Sequence, residues 1–297
     1  MLTAIPPRRD SSASLLRGGV DLGELGWSIA AWLRSPAPYL MLLGYALLVG
    51  AWYASVDLLA LPRFEDLPRL RDVVREWFSE DPSFGLSIYT PVYYEHIATS
   101  VRRVAIAFAL ATSLGVPVGL LLGSSERFRD YVFPVFELLR PIPILAWVPL
   151  AIIMFESSES PVVFLTFLAS FFATALNTQL GVRSIAEEHV LAARCLGAGR
   201  VAVFRHVIVP GALPHIFTGL EISVGVAWFS LVAAEMVSGQ FGLGYVINTS
   251  YTMVQYPTIV IGMLTLGLVG YTTSALVRLV GRVLTRWRAR SLSLGGM

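Results

Sequence analysis

The sequence predicts an all-α fold: a polytopic membrane protein with about six transmembrane helices. Three features carry that expectation. Hydrophobic residues make up 55% of the 297-residue chain and charged residues only 14%, with a mean hydropathy of +0.68. A soluble domain carries roughly 25% charged residues, so this chain has too little charge to coat a globule of its size, and lipid must face much of its surface. Six stretches are long and apolar enough to cross a bilayer core about 30 Å thick, which takes about 20 helical residues. Arginines, finally, gather between alternate stretches, the asymmetry that orients membrane proteins.

The expected spans are residues 39–61, 96–123, 131–155, 161–180, 214–237 and 257–280. Arg102 and Arg103 lie near the start of the second, and Pro141, Pro143 and Pro149 interrupt the third. Proline is tolerated in such helices where neighbours satisfy the freed carbonyls. The polar stretch 62–95 alternates acids with Arg69, Arg71 and Arg75, and 67–78 reads as a short surface helix with charge pairs at helical spacing. Residues 1–38 form a separate N-terminal segment, either an amphipathic helix on the membrane surface or a tail without fixed structure, and lack the apolar core and cleavage site of a secretory signal. Residues 39–282 form the membrane domain, and 283–297 a basic tail.

Arginine placement orients the chain. With the N-terminus cytoplasmic, Arg8, Arg9, Arg17 and Arg34, the pair Arg127 and Arg129, the loop 181–213 and the C-terminal tail all fall inside. The loops near Ser157 and Ser238 carry no arginine and fall outside. Only 62–95, external yet arginine-bearing, disagrees. Both termini are therefore expected in the cytoplasm.

Composition also excludes chemistry. All 22 basic residues are arginine. Without lysine there is no P-loop lysine to hold nucleotide phosphates and no Schiff base. If ATP drives this protein, another chain binds it. Cys195 is the sole cysteine, and His96, His189, His206 and His215 have no HExxH spacing, so no metal site and no catalytic residue is expected. A net charge of +2 suggests no polyanion or nucleic-acid partner. GQFGLG at 239–244 follows a span, not a strand, and reads as a tight external turn instead of a nucleotide fingerprint.

The longest cytoplasmic loop is the informative one. EEHVLAARCLGAGRVAVFRHVIVPGALP, residues 187–214, reads as a helix, a turn and a second helix. Glu187 and Glu188 suit a helix N-terminus. Gly197 and Gly199 permit a tight turn. Pro210 and Pro214 are expected to end the second helix. On these residues alone the hairpin is equally a docking element or a plain interfacial hairpin. Its spacing resembles the EAA loop of ATP-binding-cassette importer permeases: Ala192 and Ala193, a glycine four residues on at Gly197, then Val207, Val209 and Pro210. Leu191 stands where that pattern has glutamate, with Glu187 and Glu188 one turn upstream. ELLRPIPILAWVPL (137–150), TGLEISVGVAW (218–228), AAEM (233–236) and GLGYVI (242–247) are similar to the nitrate, sulfonate, taurine and bicarbonate subfamily.

The resemblance implies a type I importer permease fold in a bacterial inner membrane, and a small solute of the anion class, such as nitrate, bicarbonate, a sulfonate or taurine. It implies a second permease copy or close homologue, two cytoplasmic ATP-binding subunits that hold ATP and Mg, and an external solute-binding protein. It assigns Glu187, Glu188, Ala192, Ala193, Gly197 and Pro210 to the ATPase-coupling loop. Candidates for the translocation path are Glu221, Trp228 and Glu235 on the fifth span, which recur with Thr218, Gly225 and Val232 as one stripe, together with Asn177 and Arg140. The competing reading of both glutamates is that they brace loops at the membrane edge. Glu137 and Arg140, at i,i+3, are placed to neutralise each other. Asn177, Thr174 and Thr178 form a polar span end suited to helix packing. An ion-driven secondary transporter is the alternative; it would need broken spans in two related halves, and no repeat relates 39–155 to 161–280.

Overall fold

The computed structural model describes residues 35–59 and 61–285. The expectations for residues 1–34 and for most of the basic tail lie outside these. The described residues are helical, and fall into two compact units that divide between Glu65 and Asp66. The first unit holds α1 (Ala37–Tyr53), extended by a π-helical turn, Ala54–Leu58. Its leucines and tyrosines are exposed, as in a helix whose solvent is lipid.

The second unit contains α2 (Leu70–Trp77), α3 (Pro91–Ser124), α4 (Glu126–Leu139), α5 (Ile144–Met154), α6 (Glu159–Arg183), α7 (Glu187–Cys195), α8 (Arg200–Val203), α9 (Val209–Ser238), α10 (Leu243–Thr252) and α11 (Tyr256–Leu284). Five helices are long and apolar enough to span a membrane, and a sixth span exists if α4 and α5 are counted together. The third expected span is therefore not a straight helix: its two halves meet at 99°. Pro141 and Pro143 stand at the break, and neither can donate the backbone hydrogen bond that would continue the helix. Pro149 stays inside α5. The surface helix expected at 67–78 is the shorter α2.

Glycine decides how the long helices pack. Gly115, Gly119 and Gly123 recur every four residues along one face of α3 and meet Thr174, Thr178 and Val182 of α6. A Cβ built on Gly119 would lie 2.5 Å from the Thr178 Cβ and closer still to the Ala175 carbonyl oxygen. The two backbones approach because nothing stands between them, the small-residue packing that lipid favours in the absence of a hydrophobic drive between helices. Gly219 of α9 likewise packs on α6: a Cβ built there would lie 2.5 Å from the Asn177 Cβ. Thr174 donates to the Ser223 hydroxyl at 3.0 Å, and Ser223 donates to the Ser170 carbonyl at 3.1 Å. Helix α6 is thus the central helix, gripped by α3 and α9. Leu165, Val162, Val224, Ala227, Leu231 and Leu243 fill the core around it.

Gly119→Leu is expected to separate α3 from α6. Overpacking of this kind costs about 1–3 kcal/mol, and backbone contacts leave no room for relaxation, so the upper end applies. The measurement is the midpoint of thermal loss of detergent-soluble monodisperse protein, which should fall clearly. Gly44→Leu, at a position with nothing within 4 Å, serves as the control.

Candidate functional site

Three features of the second unit bear on function: a hairpin at one end, an ion cluster at the other, and a cavity beside α6. The hairpin has the expected helix–turn–helix form. Its first helix, α7, opens with Glu187 and Glu188 and buries none of its residues. It ends in a Schellman turn: Ala198 N–H donates to the Ala193 carbonyl at 3.0 Å and Gly197 N–H to the Arg194 carbonyl at 2.9 Å. Gly197 occupies the left-handed position of that turn at φ +83°, and a Cβ there would meet nothing within 4 Å. Glu187, Glu188, Ala192 and Gly197 are exposed, and Ala193 and Pro210 are half-buried. Leu191, Leu196 and Val201 add an exposed apolar surface, Leu196 being 89% accessible.

The second half of the hairpin differs from expectation. Pro210 and Pro214 do not end it. Helix α8 passes through a π-helical turn, Phe204–Ile208, directly into α9, so Arg200–Val237 reads as one continuous span. The wider turn resolves the conflict. Val209 N–H bonds back to the Phe204 carbonyl, and Pro210, which has no N–H to place, follows at the start of the new helix. The hairpin is thereby joined rigidly to the helix that carries Glu221, Trp228 and Glu235. Its base is fixed against α6, where Gly181 faces His215 and Ala212.

At the far end of α9 lies a buried ion cluster. Glu235 is fully buried and Arg103 of α3 is 1% exposed. Arg103 donates to Glu235 at 2.8 Å, to the Phe241 carbonyl, and with two guanidinium nitrogens to Glu159 at the start of α6. Glu235 also accepts from the Ser100 hydroxyl at 2.9 Å and the Gly244 N–H at 2.9 Å. The loop between α9 and α10 completes the cluster: Gly242 N–H donates to His96 Nδ1 at 3.1 Å and Leu243 N–H to the Ser100 hydroxyl at 2.9 Å. Gly242 sits at φ +123°, so GQFGLG does form the tight turn expected of it. Glu235 braces that turn and ties α3, α6 and α9 together. The sequence signal for Arg103 was available: an arginine and a glutamate inside apolar spans each need a partner.

The other path candidates are spread over two faces. Glu221 accepts from Arg278 of α11 at 2.6 Å, and the Trp228 indole donates to Thr273 of α11 at 2.9 Å. The α9 stripe therefore fastens α9 to α11 over much of its length. Asn177 donates to the Ala173 carbonyl at 2.8 Å and lines a cavity of about 610 Å³ beside α6. Arg140, at the α4–α5 bend, lines the same cavity. Among the described residues it makes no pair with Glu137, and both side chains are exposed. Gln179 and Arg183, which sequence reasoning passed over, also line it. No group of metal-ligating side chains occurs among the described residues.

A bundle of membrane-spanning helices, with an exposed helical hairpin continuous with one span and glycine-packed helices behind it, defines a polytopic membrane protein. Residues 115–290 match the family model described as binding-protein-dependent transport system inner membrane component. The chain belongs to that family, and it is a permease subunit of an ATP-binding-cassette importer. It is 36% identical over 194 residues to the taurine transport system permease protein TauC of Escherichia coli (strain K12), covering 65% of this chain and 70% of that one. The nitrate import permease protein NrtB of Leptolyngbya laminosa is 34% identical, with 66% of this chain and 71% of that one covered. The bicarbonate transport system permease protein CmpB of Synechococcus elongatus is 34% identical, with 68% and 71% covered. Among solved structures, an inward-facing MetNI methionine ABC transporter has a TM-score of 0.56 at 19% identity, over 65% of this chain and 96% of that one. A bacterial ABC transporter that imports the acidic polysaccharide alginate gives 0.57 at 12% identity, over 88% and 97%. These likenesses show the fold.

Proposed function

We propose that this permease carries a small anion across a bacterial inner membrane, delivered by an external binding protein and driven by two ATP-binding subunits on the cytoplasmic side. Nitrate, bicarbonate and a sulfonate are the candidate anions, with taurine, a zwitterion that carries a sulfonate, beside them. Similarity to TauC, NrtB and CmpB supports that class. The observation that carries the mechanism is the hairpin. It offers an exposed surface around Ala192, Ala193 and Gly197, and its second helix runs without a break into α9. An ATPase that grips α7 would move α9 as a rigid element, and with it the contacts of Glu221 and Trp228 to α11. The chain has no lysine for a nucleotide-binding loop, so ATP and Mg belong on the partner. Two copies of the permease, or this chain and a close homologue, enclose the path. Both termini lie in the cytoplasm in this arrangement, which puts the hairpin there and the Arg103 cluster at the outer face.

The test is reconstitution. The chain, its ATPase and its binding protein are placed in proteoliposomes, and uptake of labelled nitrate, bicarbonate, ethanesulfonate and taurine is followed. Uptake of at least one anion is expected to require ATP, and the permease alone should hydrolyse none. Uptake driven by an ion gradient without ATP would instead support secondary transport.

A further inference from the structure

The cavity beside α6 carries two arginines in an otherwise largely apolar wall. Its two charged lining residues are both arginine, Arg140 from the α4–α5 bend and Arg183 from the last turn of α6. No aspartate or glutamate lines it. Among the described residues neither guanidinium has an acidic partner, whereas Arg103, Arg102 and Arg278 of the same unit all do. Gln179 lies one helical turn before Arg183. It is only 4% exposed and lines the cavity. Asn177 adds a second amide. The remaining wall, which includes Phe172, Leu176, Ile222 and Val226, is apolar.

We infer that this cavity is an anion-selective site within the permease, built for the head of a small sulfonate or carboxylate. Arg140 and Arg183 supply the charge, Gln179 and Asn177 donate further hydrogen bonds, and the apolar wall receives the organic body. Guanidinium groups favour flat or tetrahedral oxyanions because their N–H donors match two oxygens at once. The missing carboxylate makes the site discriminate further. A zwitterion such as taurine would bring its ammonium group into a cavity that has two positive charges and no negative one. The site therefore selects simple monoanions over zwitterions, independently of the external binding protein. This inference rests on the reading of the chain as an anion importer.

The experiment measures binding to the permease–ATPase complex in phosphatidylcholine nanodiscs with no binding protein present. The probes are labelled ethanesulfonate and labelled taurine, which share a two-carbon sulfonate and differ by the ammonium group. Ethanesulfonate is expected to bind saturably, and taurine at least tenfold more weakly. Arg140→Gln and Arg183→Gln should each raise the ethanesulfonate Kd at least tenfold. Arg183→Lys, which keeps the charge but loses the fork, should lie between. Both arginines are exposed at the ends of helices, so the complex should assemble normally, and its ATPase content is checked for each variant. The inference is overturned by equal binding of the two probes, by unchanged affinity in the arginine variants, or by no saturable binding at all. It is also overturned if added phosphatidylglycerol expels ethanesulfonate, which would make the cavity a lipid-headgroup site. Persistence of ATP-dependent anion uptake in any of these cases would leave the importer reading intact and remove only this site.

Discussion

Gly197→Arg is expected to abolish substrate uptake while the protein still reaches the membrane at the wild-type level. Two costs combine. At φ +83° any side chain strains the backbone, by about 1–2 kcal/mol. The arginine would then project from the hairpin tip into open space, where nothing lies within 4 Å in the free chain. It would therefore clash with a docked partner, not with the permease itself. Loss of a central interface contact costs about 2–4 kcal/mol, which weakens docking some 30- to 1,000-fold. Gly197→Ala separates the two effects: it carries the strain without the bulk, and should retain partial uptake. Arg200→Ala, beyond the turn, should be mild. The measurements are immunoblot of membranes, co-purification of the ATPase and uptake in cells. Normal uptake by Gly197→Arg would show that the hairpin does not transmit the ATPase stroke.

Arg103→Met is expected to be the most destabilising single substitution in the membrane domain. It leaves the Glu235 carboxylate wholly buried with only the Ser100 hydroxyl and the Gly244 N–H. Breaking one side of a buried ion pair costs about 3–5 kcal/mol, because a charge remains without its counter-ion. Glu159 is 46% exposed and can rehydrate, so Glu159→Gln should cost far less. The double variant Arg103→Met/Glu235→Leu removes both charges, and its loss should be smaller than the sum of the single losses by about 1–3 kcal/mol. Thermal midpoints of the wild type, Arg103→Met, Glu235→Leu and the double variant, converted to free energies, give that coupling. Strict additivity would mean that the pair, for all its close geometry, does not hold the first turns of α3 and the last turns of α9 together.

Much of this molecule is legible from local patterns. A run of apolar residues long enough to cross a bilayer forms a helix in lipid whatever its neighbours, because no other structure satisfies the backbone there. The glycine of the hairpin is equally local: chain reversal after α7 needs a left-handed residue, and Gly197 supplies it. The 115–123 glycine repeat was present in the sequence as an obvious every-fourth pattern, but only α6 gives it meaning. Arg103 stood out as a charge near a span end, while its partner lies 132 residues away, a separation that no local pattern bridges.

The sequence by itself determined the spans, the hairpin and its turn, because each follows from hydrophobic length or from the conformational freedom of one residue. Tertiary structure decided the rest. The 99° bend needs neighbours that accept a helix turned across the bundle, and two prolines alone would allow other angles. The passage of α8 into α9 past Pro210 depends on a π turn that packing holds in place. Whether a glutamate faces a path or a brace depends on which cation reaches it, and that is set by helices crossing at glycines far apart in the chain. The arginine cavity arises the same way: Arg140 and Arg183 become neighbours of one space only because the bend carries α5 against α6.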